Sequence, residues 1–284
     1  MARVWLTGFG DEIDADLSVQ LAHMASLGIR AIEPRGINGV NVSALTDEQA
    51  RAARQTLDDY GFRVSALGSP IGKSDINAPF SQALDALLRT VDIARILKAP
   101  AIRMFSFFVP QAERAARADE CVDRLLRMRE ATAGSGVTLL HENEGGIYGE
   151  TLEGCLRIAR EVCSADFGLI FDPSNFVQHQ GDSLAAWQAL KPYVRYLHIK
   201  DSVRLPEGSD PHVQNPHRVA GTGDACIREI LADLKAEGFE GYLSIEPHLM
   251  SSTFVPGDKP EKWTAAARAL QNILDELNIE WREE

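Results

Sequence analysis

No Cys-x-x-Cys pair occurs among the four cysteines of this 284-residue chain. Cys121, Cys155, Cys163 and Cys226 each fall within a helix-like pattern. That argues against a disulfide framework and against a zinc–thiolate site, and leaves buried free thiols. No apolar run approaches the roughly 20 residues of a membrane helix. The opening Met1-Ala2-Arg3-Val4-Trp5-Leu6-Thr7 lacks the apolar stretch and small-residue cleavage site of a signal peptide, so a cytoplasmic location is expected. Positive charge is scarce: 29 Lys and Arg against 41 Asp and Glu give a net charge of −12. Such a balance repels nucleic acid and anionic membranes, and neither is an expected partner. A small anionic substrate stays compatible, because a metal and a few cations can set the local field. No Pro/Gly/Ser-rich linker divides the chain, which reads as a single domain over 1–284.

What is present is alternation. Strand-like runs at Val4 to Phe9, Ala31 to Glu33, Val64 to Leu67 and Ala101 to Phe105 are separated by segments of helical spacing. Thr46-Asp47-Glu48-Gln49 fits a capping box, Gly61 suits the end of that helix, and Pro110 can start another. Four further runs follow, ending near Glu142, Asp172, His198 and Glu246, with helices near 151–163, 182–191 and 224–237 and a last one marked by Trp263 to Leu277. Eight β/α units in this length predict an α/β fold, a (β/α)8 TIM barrel. The main irregular stretch, 201–223, would lie on the C-terminal face, where barrel enzymes keep their active sites.

The last four runs share a peculiarity. Each closes on an ionisable or metal-binding group: Glu142, Asp172, His198 and Glu246. A carboxylate at a buried strand end is costly unless something pairs with it. Oxygen and imidazole donors without thiolate point to a hard or borderline divalent cation. Strand parity adds a check. If these groups face the barrel mouth, Leu140, Ile170, Tyr196 and Ser244 lie below them, and His141 faces the helices. A single strand-end acid can equally be a helix cap or an ion-pair partner.

In order along the chain stand Gly8-Phe9-Gly10-Asp11-Glu12, Gly68-Ser69-Pro70-Ile71-Gly72-Lys73, His141-Glu142-Asn143, Phe171-Asp172-Pro173-Ser174-Asn175, His198-Ile199-Lys200-Asp201 and Ile245-Glu246-Pro247. With these motifs the sequence resembles, over nearly its whole length, the xylose-isomerase-like TIM barrels. That superfamily holds sugar phosphate isomerases and epimerases, inosose dehydratases and endonuclease IV. The resemblance implies one divalent metal, Mn²⁺ or Mg²⁺ and sometimes Co²⁺ or Zn²⁺, with Glu142, Asp172, His198 and Glu246 as ligands. Its epimerase branch implies that Glu142 and Glu246 also move the proton. Barrels of this kind often pair into homo-oligomers through loops or helices.

The expected chemistry is proton transfer beside a carbonyl of a sugar or sugar phosphate, through an enediolate, giving isomerisation or epimerisation. Lys200 shares parity with His198 and is a donor to substrate, or else an ion-pair partner of Asp201. Glu33 and Arg35 can bind hydroxyls or pair with neighbouring strands. Lys73 can reach an anionic group or remain a surface lysine; Arg103 is a substrate cation or a buried structural pair. His248 follows Glu246 by two residues and is a substrate-binding candidate if it faces the site, its direction depending on the intervening Pro247. Phe105, Phe107 and Phe108 can wall the pocket or pack in the core. The resemblance adds His217 and Arg218 as substrate-binding candidates.

Two other activities compete. A dehydratase of an inosose-like or dehydroshikimate-like ketone begins with the same proton abstraction. A phosphodiesterase like endonuclease IV needs additional histidines. Here Asn175 stands three residues after Asp172, Asn215-Pro216-His217 replaces an Asp-x-His element, and the fourth strand offers Arg103. With the acidic charge, these departures argue against a nuclease.

Overall fold

The structure, a computed structural model, describes residues 2–209, 214–252 and 254–282. The part of the long loop at 210–213, with Pro211, lies outside the described residues. Eight parallel strands line up as the alternation predicts: β1 Arg3–Gly8, β2 Ala31–Ile32, β3 Arg63–Val64, β4 Ala101–Met104, β5 Thr138–Glu142, β6 Phe167–Phe171, β7 Val194–Ile199 and β8 Glu240–Ile245. Six of them form one continuous curled sheet in the order β1-β8-β7-β6-β5-β4. The short β2 and β3 pair with each other and fill the remaining arc. Backbone hydrogen bonds join them to the rest: Glu33 N donates to Gly8 O on one side, and Leu67 N to Ala101 O on the other. The third strand is shorter than Val64 to Leu67; beyond Val64 its ladder passes to β4 through Leu67.

The α-helices whose bounds fall within the described residues are α1 Leu17–Ser26, α2 Asp47–Asp59, α3 Phe80–Leu97, α4 Arg114–Thr132, α5 Leu152–Val162, α6 Pro173–Gln178, α7 Ser183–Leu190, α8 Ile227–Ala236 and α9 Lys259–Glu276. The capping box at Thr46 and Gln49 forms as the sequence predicts. Pro110 precedes a short 3₁₀ turn, and α4 itself starts at Arg114. Among the described residues, no helix is long and apolar enough to cross a membrane.

Two cores follow from the strand parity. Inside the barrel, Ala66, Ala101, Leu140, Ile170 and Tyr196 pack with Tyr242. Outside it, a much larger apolar layer lies between strands and helices. A bulge in β7, where Arg195 is the extra residue opposite the step from Leu169 to Ile170, sets Tyr196 opposite Ile170, so the inward phase is kept one step higher, where His198 stands. His141, on the opposite phase, is wholly buried on the helix side. Burial holds its imidazole neutral, down at about 3.

The cysteines are free, and Cys121 and Cys155 are buried. Burial pushes the Cys155 thiol up to about 12, and the Cys121 and Cys163 thiols to about 11. A raised thiol pKa means protonation, and little nucleophilicity, at pH 8. A colorimetric thiol reagent at pH 8 is therefore expected to leave Cys121 and Cys155 unmodified until denaturant is added. The half-buried Cys163 should react about tenfold faster per pH unit as pH rises toward 10. Immediate titration of all four thiols in native protein would contradict this packing.

Candidate metal centre

The C-terminal strand ends deliver their polar groups to one point. Glu142, Asp172, His198 and Glu246 each offer a ligand atom, and these atoms lie within 4.8 Å of one another. All four side chains are buried. His198 Nδ1 stands 2.9 Å from Glu142 Oε1 and 2.9 Å from Glu246 Oε2. One ring nitrogen thus faces two carboxylates.

Local structure fixes each group. Asp172 caps α6: its Oδ1 accepts from Asn175 N at 3.1 Å. The helix-cap alternative is therefore realised, but it uses only one oxygen. Asn143 clamps the strand ends together, since its amide donates to Asp172 O and its Oδ1 accepts from Asp172 N. Asn175 completes the clamp by donating to Asn143 O at 2.8 Å. The residue that departs from the nuclease pattern is thus committed to bracing the loop. After Glu246, Pro247 leads to His248 at a left-handed φ of 48°. That turn brings His248 Nε2 back to within 2.8 Å of Glu246 Oε1 and Nδ1 to 3.3 Å from Glu12 Oε1.

Two candidates from the sequence stand behind this four-residue cluster rather than at the open face. Glu33 is fully buried, with its carboxylate 3.1 Å from His198 Nε2 and accepting from Tyr196 Oη at 2.8 Å. Arg103 is the buried structural pair: Nη1 donates to Glu142 Oε2 at 3.2 Å, and its other N–H groups reach Gly68 O and Ser69 O. Its guanidinium lies over Phe9 and Phe105. Of the three candidate wall aromatics, Phe105 and Phe107 are buried and Phe108 is exposed.

Lys200 is buried beside the ligands, 2.8 Å from Asp172 Oδ2 and 3.7 Å from Glu246 Oε1. It does not pair with Asp201, whose carboxylate is taken by backbone N–H groups of the long loop. Lys73 lies at the rim, paired with Glu144 at 2.8 Å. His217 faces the cavity, with Nδ1 3.1 Å from Ser202 Oγ. Arg218 donates to the carbonyls of Asn215 and His217 and covers the Phe254 ring. A cavity of about 410 Å³ lies above the centre, lined by Glu12, Arg35, Lys200, Asn215, His217 and His248 among others. Reading strand ends alone passes over Glu12 and Glu144, because both sit in loops that only the closed barrel brings to the mouth.

The electrostatics are those of a cation site. Burial raises the Asp172 carboxyl, the nearby Glu246 and Glu142 raise it further, and Lys200 opposes them. Burial also penalises the Glu246 carboxylate, yet Lys200 and His248 outweigh it and hold that group well below its ordinary range. Burial disfavours a charged His198, but Glu142 and Glu33 prevail and raise it well above its usual value. Asp172 Oδ2 and Glu246 Oε2 are buried and lack well-aligned hydrogen bonds; their near neighbours are ion-pair contacts, Lys200 Nζ at 2.8 Å and His198 Nδ1 at 2.9 Å. Three carboxylates and an imidazole with unused lone pairs fit a divalent ion. Glu142, Asp172, His198 through Nδ1, and Glu246 would hold it.

A family model for the xylose isomerase-like TIM barrel matches residues 21–273. The chain belongs to that family. Its fold recurs in a xylose isomerase domain protein from Planctomyces limnophilus, at 21% identity and TM-score 0.73, covering 98% of both chains. A D-tagatose 3-epimerase-like protein superposes at TM-score 0.75 and 17% identity, covering 97% of this chain and 98% of that one. The IOLI protein, solved with a bound zinc atom, reaches TM-score 0.80 at 15% identity, with 96% and 99% coverage. At these identities the shared property is the fold. No curated protein matches the sequence.

The placement of Glu33 makes a prediction. A ligating Nδ1 needs its lone pair, so Nε2 must carry the ring proton and donate it to Glu33. Glu33→Gln is expected to weaken Mn²⁺ binding by about 10- to 100-fold, measured by calorimetry, with the fold retained by circular dichroism. Unchanged affinity would deny Glu33 this orienting role.

Proposed function

We propose that this protein is a divalent-metal-dependent isomerase or epimerase of a sugar or sugar phosphate, working through an enediolate. The observation that carries this reading is the buried pair Glu142 and Glu246. The two acids come from different strands and face one His198 nitrogen at 2.9 Å. Each holds its second oxygen against a different cation: Glu142 against Arg103, and Glu246 against His248 and Lys200. When bound, the metal supplies a Lewis acid for a carbonyl and its neighbouring hydroxyl, with Mn²⁺ or Mg²⁺ favoured and Co²⁺ or Zn²⁺ compatible.

The side chains then divide the work. One of Glu142 and Glu246 removes the proton beside the carbonyl, and the other carboxylate delivers a proton from its own side. Return to the neighbouring carbon isomerises; return to the other face epimerises. Lys200 donates to the oxygen on which charge develops. His248, raised to about 9 by Glu246 and Glu12 against the effect of burial, keeps a positive charge beside Glu246. Asn143 and Glu33 move no proton to substrate; they hold Asp172 and His198 in place.

The test is a panel of free and phosphorylated ketoses and inososes offered to the Mn²⁺-loaded protein in D₂O. Isomerisation or epimerisation leaves the molecular skeleton intact and places deuterium at the carbon beside the carbonyl. Loss of water from an inosose would assign a dehydratase instead. Recovery of every compound without deuterium would end the proposal.

A further inference from the structure

The mouth above the candidate metal centre carries no spare positive charge among the described residues. Among these residues, every cationic side chain that reaches the centre already has a carboxylate. Arg35 Nε donates to Asp11 Oδ2 at 2.9 Å, with Glu12 at 3.5 Å. Lys73 has Glu144; Lys200 has Asp172 and Glu246; Arg103 has Glu142; His248 has Glu246 and Glu12. With Glu33 beneath His198 included, and His198 counted neutral as it would be with a metal on Nδ1, these carboxylates exceed the cations by two when His248 is charged and by three when it is neutral. One divalent ion brings the total to zero or below. His217, the remaining basic group of the cavity lining, is kept uncharged at about 3, first by burial and then by the neighbouring Lys200 and His248.

The backbone gives the same answer. In β/α barrels, phosphate groups are frequently held by loops after the seventh and eighth strands, where N–H groups converge. Here the turn after β7 converges on an acid of the chain itself. Gly221 N and Gly223 N donate to Asp201 Oδ2 at 2.9 Å each, and Ser202 N and Ala225 N reach Oδ1 at 2.9 and 3.1 Å. Asp201 is 1% exposed, and a Cβ on Gly223 would stand 2.3 Å from its Oδ1. The anion-binding turn is filled from within. Arg218, which has no carboxylate partner among the described residues, neighbours His217 on a two-residue strand and turns to Phe254. Residues 210–213 include no lysine or arginine.

From this matched charge and filled turn we infer that the substrate is an uncharged polyhydroxy ketone or aldehyde, not its phosphate ester. A phosphate dianion in this cavity would be buried against Glu12 and Glu144 with no unpaired lysine or arginine among the described lining residues, a cost that hydroxyl groups do not incur. Asn215, Ser251, Gln178 and His217 in the lining offer neutral donors and acceptors of the kind hydroxyls use.

The inference rests on the proposed isomerase or epimerase reading, and one experiment separates the two. The Mn²⁺-loaded full chain is given free ketohexoses and ketopentoses in parallel with their terminal phosphate esters. Turnover is followed by deuterium incorporation, and binding by ligand-observed NMR. The expected result is kcat/KM at least about 100-fold higher for a free sugar than for its ester, with no competition from inorganic phosphate. Preference for the ester, abolished by Arg218→Met or Lys73→Met, overturns the inference and leaves the isomerase reading intact. If neither series turns over, the isomerase reading fails and binding decides: free sugars bound and esters rejected support a neutral site. Esters bound, or neither bound, overturn it. Glu144→Gln, which releases Lys73, should raise ester affinity about tenfold; no gain counts against the charge-matching argument.

Discussion

Glu246→Gln is expected to lower turnover by at least about 10³-fold and metal affinity by at least about 100-fold. Glutamine keeps the shape and one carbonyl oxygen, but it has no charge to offer a cation and cannot accept a proton from carbon. Oε2 faces His198 Nδ1 at 2.9 Å. Oε1 is the oxygen that His248 and Lys200 hold. On the proposed reading the variant loses a ligand and a base in one step. Metal retained after gel filtration is read by mass spectrometry, and turnover by deuterium exchange. Loss of turnover with full metal content would separate the proton-transfer role from ligation. Survival of both would remove Glu246 from the centre.

Arg103→Met should have the largest effect on stability. Arg103 is 6% exposed and Glu142 is 1% exposed, with Nη1 3.2 Å from Oε2. Removing one member of a buried pair leaves the other charged without a partner, which costs about 3–5 kcal/mol. In a chain of this size that lowers Tm by roughly 10 °C. The cost should be greatest in chelator-treated protein, because a bound cation also neutralises Glu142. Arg103→Met combined with Glu142→Gln should recover part of the loss, since the stranded charge is then gone. A double variant no more stable than Arg103→Met alone would show that Arg103 acts through its packing on Phe9 and Phe105 or its bonds to Gly68 O and Ser69 O.

The outcomes for the substrate candidates follow from how far each side chain depends on its own strand. Period-two alternation carries Glu142, Asp172, His198 and Glu246 to one end of the barrel, and the same phase places Leu140, Ile170 and Tyr196 in the inner layer. Lys200, two residues beyond His198, inherits that direction and lies against the centre. Glu33 has the right phase too, yet it stops beneath His198, because depth in the barrel depends on the stagger between β2 and β7. Arg103 is drawn to Glu142 on the adjacent strand. His217 and Arg218, neighbours in a loop, face different surroundings.

By itself the sequence determined the eight β/α units, the capping of α2 and the four strand-end groups that meet at the barrel mouth. These rest on local physics: hydrophobic period, turn chemistry, and the cost of an acid at a buried strand end. Only the tertiary structure decided which cation neutralises which carboxylate. It joined Asp11 and Glu12 to Arg35, Glu144 to Lys73, and His248 to both Glu246 and Glu12. It also turned the amides of the long loop onto Asp201. Coulomb interactions follow distance in space, and distances between loops of different β/α units are set when the barrel closes.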